Sequence, residues 1–424
     1  MSIQSSEQAD GYSLTRKLYK WEAMFEYLCA ILASGGFMAK VSLELGVRDS
    51  ITALIGTVSS LACVFSVMSG HLQRYTPIKK WLLPMALLAR VCMMAMFLLP
   101  LLKIRSGLDI VLLLLVFVAQ STNAMIVPAK QNMFLAPVCA EKQTSHLAVI
   151  NMVSLIAGIP LMLFGGTFLD YMEERGKMKD AFLIIALAIL FFCICHMLTL
   201  IFSKETPMPK SESKSIFGDI GSLLRNGKYR FFLITSVVHN IAQGVLSPYL
   251  TTYALKDFEF SMFTYGMFNG IQMLLGFAGL LFVTRLGRRA KATTLRTLFF
   301  IAYICYDFFW LVMSKETAFA WHFPVVISGA LVNVTSIGYT VCLFRTVEEK
   351  ERVSALAFAA GLMGVCTFLT NLAITPFFDR MQENGVTLFG MPSYPQQILA
   401  ICSVGVRLVA LVLWLFELKN YKET

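Results

Sequence analysis

The chain has 424 residues, of which 57% are hydrophobic and only 15% are charged. Soluble domains carry about 25% charged residues, so this composition excludes an ordinary soluble globular protein. The formal net charge of +10 could indicate a nucleic-acid partner. However, the Lys and Arg residues lie in short loops between apolar segments, where they set membrane topology, so we expect no nucleic-acid partner.

Apolar segments of roughly 20 residues recur along the chain, and each is long enough to cross a bilayer as a helix. They are continuously apolar, whereas the strands of a membrane barrel alternate, so the sequence predicts an all-α polytopic membrane protein. Twelve transmembrane helices are predicted, at positions 22–44, 51–70, 81–102, 108–136, 147–169, 180–202, 231–255, 261–284, 293–313, 319–344, 353–378 and 397–417.

The Lys and Arg residues concentrate in alternate loops, which predicts that both termini are cytoplasmic. The longest connection is rich in Lys, Ser and Pro and divides the spans six and six. We therefore predict an N-terminal six-helix half over 1–202, a cytoplasmic linker over 203–229 and a C-terminal six-helix half over 230–424. A short amphipathic helix is expected in the linker, around Ile216 to Leu224.

The two halves share short charged motifs. Two dipeptides recur at nearly the same offset, close to half the chain length: Lys79-Lys80 as Arg288-Arg289, and Glu141-Lys142 as Glu349-Lys350. Two matches at nearly the same offset indicate two parallel six-helix halves.

With these features the chain resembles the Major Facilitator Superfamily over nearly its whole length, and around Trp21 it is similar to bacterial permeases of that superfamily. The resemblance implies a membrane transporter, not an enzyme, whose first, fourth, seventh and tenth spans line a central cavity. The family's basic loop signature is well kept in the second half, but its first-half copy lacks the acidic residue. The gating-loop residues that the resemblance implies are Arg74, Lys79, Lys80, Arg285, Gly287, Arg288 and Arg289.

Two glutamates in the first span are the candidates for proton coupling. Ionisable residues inside a membrane segment cost about 2.5–3.5 kcal/mol on insertion scales, so each is a functional hypothesis. Glu22 and Glu26 are one helical turn apart, and the deeper Glu26 is the first choice for the group that carries a proton. The alternative is that both carboxylates lie at the cytoplasmic interface, near Lys20 and water.

Polar side chains on spans 4, 7, 8 and 10 form a candidate substrate site, because they are donors and acceptors that suit a polar neutral solute. Their alternative role is to bridge helices, at about 0.6 kcal/mol each. The candidates are Gln120, Asn123, Lys130, His239, Asn240, Gln243, Asn269, Gln272, Asn333 and Tyr339. Arg90, Asp307 and Arg407 fall in predicted outer helices, and the sequence leaves open whether they pair with one another or with inner groups. His196 is interpreted as a core residue of span 6.

These observations favour proton-coupled uptake of a small, sugar-like polar solute by alternating access. We expect a monomer in the cytoplasmic (inner) membrane whose partners are the solute, protons and the lipid bilayer, with no cofactor and no metal ion. The alternative is proton-driven efflux of drugs or metabolites, which 23 Met and 34 Phe residues and a glycine-proline element near Pro160 suggest. A membrane-embedded enzyme or a sensor is the third interpretation, but the five histidines are scattered and supply no compact catalytic set.

Overall fold

The fold is mostly helical. The computed structural model describes residues 12–66, 68–69, 72, 76–102, 107–135, 138, 140–205, 216–286, 292–348, 351–388 and 390–418. In chain order its longer helices and its two strands are α1 (Ser13–Leu32), α2 (Gly35–Glu44), α3 (Asp49–Ala62), α4 (Ile78–Leu98), α5 (Leu108–Leu135), α6 (Ala140–Glu174), α7 (Met178–Phe202), α8 (Ile216–Arg225), α9 (Gly227–Leu246), α10 (Met262–Leu286), α11 (Ala292–Leu311), α12 (Ala318–Thr346), α13 (Arg352–Asn384), β1 (Val386–Leu388), β2 (Met391–Ser393) and α14 (Pro395–Leu418).

The membrane character predicted from composition is confirmed. Within the described residues, ten helical stretches are long and apolar enough to cross a membrane, and Asp49–Phe65 is a shorter apolar helix. The exact number of twelve spans and the cytoplasmic position of both termini stay predictions. The linker helix predicted around Ile216 to Leu224 is confirmed as α8.

The first predicted span, 22–44, is two helices and not one. Helix α1 begins earlier, at Ser13, and ends at Leu32, and α2 starts at Gly35. Gly35 has a φ of +53°, a conformation that glycine adopts without the steric cost of a side chain. The run of small residues from Ala33 to Gly36 therefore carries a break that the continuous hydropathy of the span conceals.

Other spans differ from their helices at the ends. Helices α6 and α13 extend beyond the predicted spans 147–169 and 353–378, because helical backbone continues into polar residues that the bilayer criterion leaves out. Helix α9 gives way at Ser247–Tyr249 to a 3-10 turn containing Pro248, which has no amide hydrogen for the regular ladder. The β1–β2 hairpin was not expected; its strands pair antiparallel on either side of a loop that includes Gly390, at φ +81°.

Contacts divide the chain into two compact units. Unit 1 is Met1–Arg48 with Phe65–Glu212, and unit 2 is Asp49–Val64 with Ser213–Thr424. By its contacts, helix α3 therefore belongs to unit 2. The division predicted from the sequence, at the linker over 203–229, places the same helix in the N-terminal half.

In unit 1, α1 packs against α6 and α7, and α4 packs against α5 and α7. A buried apolar cluster that includes Tyr19, Leu82 and Ile126 joins α1, α4 and α5. This arrangement brings the inner faces of four helices together around the first-span glutamates.

In unit 2, α9 and α11 both pack against α14, and α3 and α9 both pack against α13. The α3–α13 contact is very close: a Cβ atom added at Gly364 would overlap the carbonyl oxygen of Ser60. The packing of α9, α11 and α14 decides which polar side chains of these three helices meet.

Candidate functional site

Unit 1 contains a buried group of ionisable side chains that we call the unit 1 charge cluster. Its members come from four helices: Glu22 and Glu26 on α1, Arg90 on α4, Lys130 on α5 and His196 on α7. Sequence analysis placed the two glutamates and Lys130 in candidate sites. The structure brings these three together and adds Arg90 and His196.

Lys130 lies at the centre of the cluster. Its Nζ is 3.0 Å from Oε1 of Glu22 and also donates to Oε2 of Glu26, so one ammonium group is shared by two carboxylates. The side chains of Lys130 and Glu22 are 4% and 0% exposed, whereas that of Glu26 is 16% exposed. Glu22 is thus the more buried carboxylate. The Glu22 side chain therefore has no surface in contact with bulk water in this structure.

Arg90 and His196 complete the cluster, one on each carboxylate. Nη2 of Arg90 donates to Oε1 of Glu26 at 3.1 Å and to Oδ1 of Asn123 at 3.3 Å. Nε2 of His196 is 2.9 Å from Oε1 of Glu22. Sequence reasoning treated His196 as an ordinary core residue, because nothing in the sequence shows which helix face α7 turns toward α1.

The cluster keeps unused hydrogen-bonding capacity. Among the residues that the structure describes, Oε2 of Glu22 and Nδ1 of His196 are buried and have no hydrogen-bond partner. With two ionised carboxylates, protonated Lys130 and Arg90 and a neutral histidine, the formal charges cancel. A proton added to either carboxylate would give a net positive cluster and leave Lys130 with a single anionic partner.

Unit 2 contains a second group, the unit 2 charge cluster, made of Asp307 on α11, Arg407 and Ser403 on α14, and His239 and Gln243 on α9. Nε of Arg407 and Oγ of Ser403 both donate to Oδ2 of Asp307. The rest of the guanidinium reaches α9, with Nη1 3.2 Å from Nδ1 of His239 and Nη2 2.9 Å from Oε1 of Gln243. Sequence analysis named Asp307 and Arg407 without finding that they pair.

Two of the other candidate amides are used within their own helices. Nδ2 of Asn240 donates to the carbonyl of Ser236 at 2.8 Å, and Nδ2 of Asn269 donates to the carbonyl of Tyr265 at 2.9 Å. The half-buried Gln120 lies on α5. These placements neither assign nor remove a substrate role.

The remaining candidates lie at helix contacts in unit 2. Gln272 of α10 lies against Gly329 of α12, and Asn333 of α12 lies against Gly276 of α10. The hydroxyl of Tyr339 points at Sδ of Met363, 2.9 Å away. These contacts fit the helix-bridging alternative.

The basic gating loops are described only in part. Nζ of Lys79 donates to the carbonyl of Ile201 at 2.8 Å, and Glu205 accepts from the backbone N–H of Ile78 at 2.6 Å, so these contacts tie α4 to the end of α7. Lys80 is exposed. The remaining predicted gating residues lie outside the described residues: Arg74, Gly287, Arg288, Arg289 and the side chain of Arg285.

Comparison with known families agrees with this architecture. A family model described as the Major Facilitator Superfamily matches residues 23–375. The chain therefore belongs to this superfamily, and it is a multi-pass membrane transporter rather than an enzyme. No curated protein matches it significantly.

Solved structures show the same fold at low sequence identity. A variant of the nucleoside transporter NupG aligns with a TM-score of 0.73 at 13% identity, covering 95% of this chain and 99% of that chain. A bacterial homologue of the human lysosomal transporter Spinster aligns with a TM-score of 0.63 at 11% identity, and the alignment covers 99% of this chain and 98% of that chain. A variant of the E. coli fucose:proton symporter FucP aligns with a TM-score of 0.58 at 14% identity, and the alignment covers 96% of this chain and 98% of that chain.

Proposed function

We propose that this chain is a secondary active transporter that takes up a small polar solute together with protons, and that the unit 1 charge cluster carries the proton. The observation that supports this most strongly is the sharing of Lys130 between the carboxylates of Glu22 and Glu26. Ionisable groups are costly inside a membrane segment, which favours a working role for a buried cluster of them.

A proton would change the partners within the cluster. If Glu26 takes a proton, Lys130 keeps Glu22 as its anionic partner, and Arg90 keeps the neutral partners Asn123 and Met93. The cluster then carries a net positive charge, so its protonated and deprotonated forms favour different conformations, which is what coupling requires. The Glu26 side chain is 16% exposed and that of Glu22 is 0% exposed, which makes Glu26 the first choice for the carboxylate that takes the proton.

The solute we propose is neutral and hydroxylated, such as a sugar or a nucleoside. The acidic residue of the unit 2 charge cluster, Asp307, is already bound to Arg407 and is not available to attract a cationic drug. Nucleosides and fucose, the solutes in the names of NupG and FucP, belong to the same chemical class. We place the transporter in the cytoplasmic membrane and expect it to act as a monomer by alternating access.

The proposal is tested in proteoliposomes with an imposed pH gradient, alkaline inside. The solutes are radiolabelled D-glucose, L-fucose and uridine, with tetraphenylphosphonium as a lipophilic cation. We expect gradient-driven accumulation of a hydroxylated solute by the wild type. In Glu26→Gln this accumulation should disappear, while exchange of the solute across the membrane without a gradient persists.

Glu173→Gln is the matched control. Glu173 pairs with Lys40 at 2.6 Å, but its side chain is 51% exposed and lies outside the cluster. Solute accumulation by this variant should therefore match that of the wild type. Full accumulation by Glu26→Gln would remove that residue from the mechanism. Movement of tetraphenylphosphonium in place of the hydroxylated solutes would support the efflux alternative.

A further inference from the structure

The unit 2 charge cluster contains an ion pair that has no part in the proposed proton coupling. Asp307 and Arg407 are both almost completely buried, and they come from helices α11 and α14. Because Arg407 Nε and Ser403 Oγ both donate to the carboxylate, the position of the guanidinium is fixed. The guanidinium carbon also lies 4.2 Å from the centre of the Tyr303 ring, which holds its plane.

The other nitrogens of Arg407 determine how two side chains of α9 can bond. An arginine has five N–H donors and no acceptor, so it donates in both of its contacts with α9. Nδ1 of His239 must therefore be an acceptor, and the proton of the neutral imidazole is on Nε2. Oε1 of Gln243 is likewise occupied, which leaves the amide NH₂ of Gln243 for another partner.

Both freed groups are hydrogen-bond donors on the same face of α9. His239 and Gln243 are four residues apart, a spacing that places side chains next to each other on a helix. Within the described part of the chain, no hydrogen bond is formed by Nε2 of His239 or by Nε2 of Gln243. The His239 ring is also fixed, since Tyr303 and Phe300 pack against it in edge-on contacts at 4.7 and 5.5 Å.

We propose that Arg407, held by Asp307, orients His239 and Gln243 as a donor pair that binds two acceptor oxygens on one face of a neutral solute. Asp307 and Arg407 are positioning residues, and the two α9 side chains contact the solute. The inference rests on the proposed transport function and adds the residues that determine which solutes the transporter binds. A site that offers only donors at this point rejects an ammonium or lipophilic cation, and it rejects an analogue that lacks one oxygen because a buried donor then stays unpaired.

The test is equilibrium binding to the purified full-length protein in detergent, without a proton gradient. The probes are D-glucose, L-fucose and uridine, a monodeoxy analogue of each, and tetraphenylphosphonium. The reference solute is whichever of the three hydroxylated solutes the wild type binds most tightly. We expect the wild type to prefer it to its deoxy analogue by roughly tenfold or more. In Arg407→Lys this ratio should fall toward unity, because a lysine can pair with Asp307 but cannot bridge to both α9 side chains.

Two further variants separate orientation from general damage. Gln243→Glu keeps an acceptor oxygen for Arg407 but replaces the NH₂ donor with an oxygen. In the folded variant the ratio should fall as in Arg407→Lys. Arg296→Lys is the matched control. Arg296 is a second buried arginine of unit 2, 4.1 Å from the Trp414 ring, and its replacement should leave the ratio at its wild-type value.

An unchanged ratio in folded Gln243→Glu and Arg407→Lys would overturn the proposal. Tighter binding of tetraphenylphosphonium than of all three hydroxylated solutes, or no binding of any of them, would overturn it as well. The proton-coupling proposal can fail separately, because Glu26→Gln is judged by accumulation under a gradient and this test uses none.

Discussion

The two charge clusters differ in how firmly their ions are held. In unit 1, Lys130 forms ion pairs with two carboxylates, and Glu22 Oε2 has no hydrogen-bond partner among the described residues. In unit 2, Asp307 has one cation, Arg407, and a hydroxyl donor as well. A shared cation can change partners when a proton arrives, whereas an ion pair held by several hydrogen bonds keeps its geometry.

This difference assigns the two clusters different proposed roles. Unit 1 has the properties of a titrating element, since more than one arrangement of its ions is possible and the Glu26 side chain is 16% exposed. Unit 2 has the properties of a fixed template, since each nitrogen of Arg407 that contacts α9 has a defined acceptor. Substitutions that disturb one role and not the other test this division.

The largest effect is expected for Lys130→Met. This change leaves Glu22 and Glu26 without their shared cation, and removal of one partner of a buried ion pair costs about 3–5 kcal/mol. We expect a loss of that order in the free energy of unfolding, measured by denaturation in detergent, and loss of solute exchange in proteoliposomes. Lys40→Met is the control, because Lys40 pairs with the half-exposed Glu173 and such pairs contribute about 0–1 kcal/mol. Equal losses in both variants would contradict the special position of Lys130.

The second prediction concerns the fixed pair of unit 2. Asp307→Leu alone should cost about 3–5 kcal/mol of unfolding free energy, because it leaves Arg407 buried without its anion. The double variant Asp307→Leu with Arg407→Met should recover most of this loss, since apolar side chains of similar volume replace buried ion pairs at little cost.

Solute selectivity should not recover with stability. The double variant no longer orients His239 and Gln243, so the ratio of binding between the reference solute and its deoxy analogue should stay near unity. Recovery of both stability and selectivity would show that the ion pair has no positioning role.

The smallest effect, on packing alone, is expected at the contact between α3 and α13. Gly364→Ala places a methyl group on the carbonyl oxygen of Ser60, and overpacking of this kind costs about 1–3 kcal/mol. Gly361→Ala, one turn earlier on α13, meets its nearest atom at 3.6 Å and should be neutral. The comparison of unfolding free energies measures how rigid the scaffold of unit 2 is; equal values for the two variants would mean that α3 moves aside.

The sequence predicted the helical membrane fold and several members of each cluster, but not how the members pair. Intramembrane charge singled out Glu22 and Glu26, because burial of such groups needs an explanation, and Lys130 was named among the polar side chains of span 4. Their partners Arg90 and His196 lie on other helices, and hydropathy carries no information on which helix faces meet. The same limit applies to Asp307 and Arg407, which were named together without a decision on whether they pair.

Of the local backbone features, the sequence predicted one and missed another. The linker helix α8 was predicted from its amphipathic pattern, which is a property of neighbouring residues. The break between α1 and α2 was missed, although Gly35 is present, because glycine is also common inside membrane helices and does not by itself end one.

The most direct measurement of the central claim is solute-driven proton movement, recorded with a pH-sensitive dye inside proteoliposomes. An added hydroxylated solute should acidify the interior of vesicles that contain the wild type. Vesicles with Glu26→Gln should show exchange of the solute but no change in internal pH, whereas Gln243→Glu should still move protons with any solute that it transports. Acidification by Glu26→Gln, or transport without acidification by Gln243→Glu, would contradict the division of roles between the two clusters.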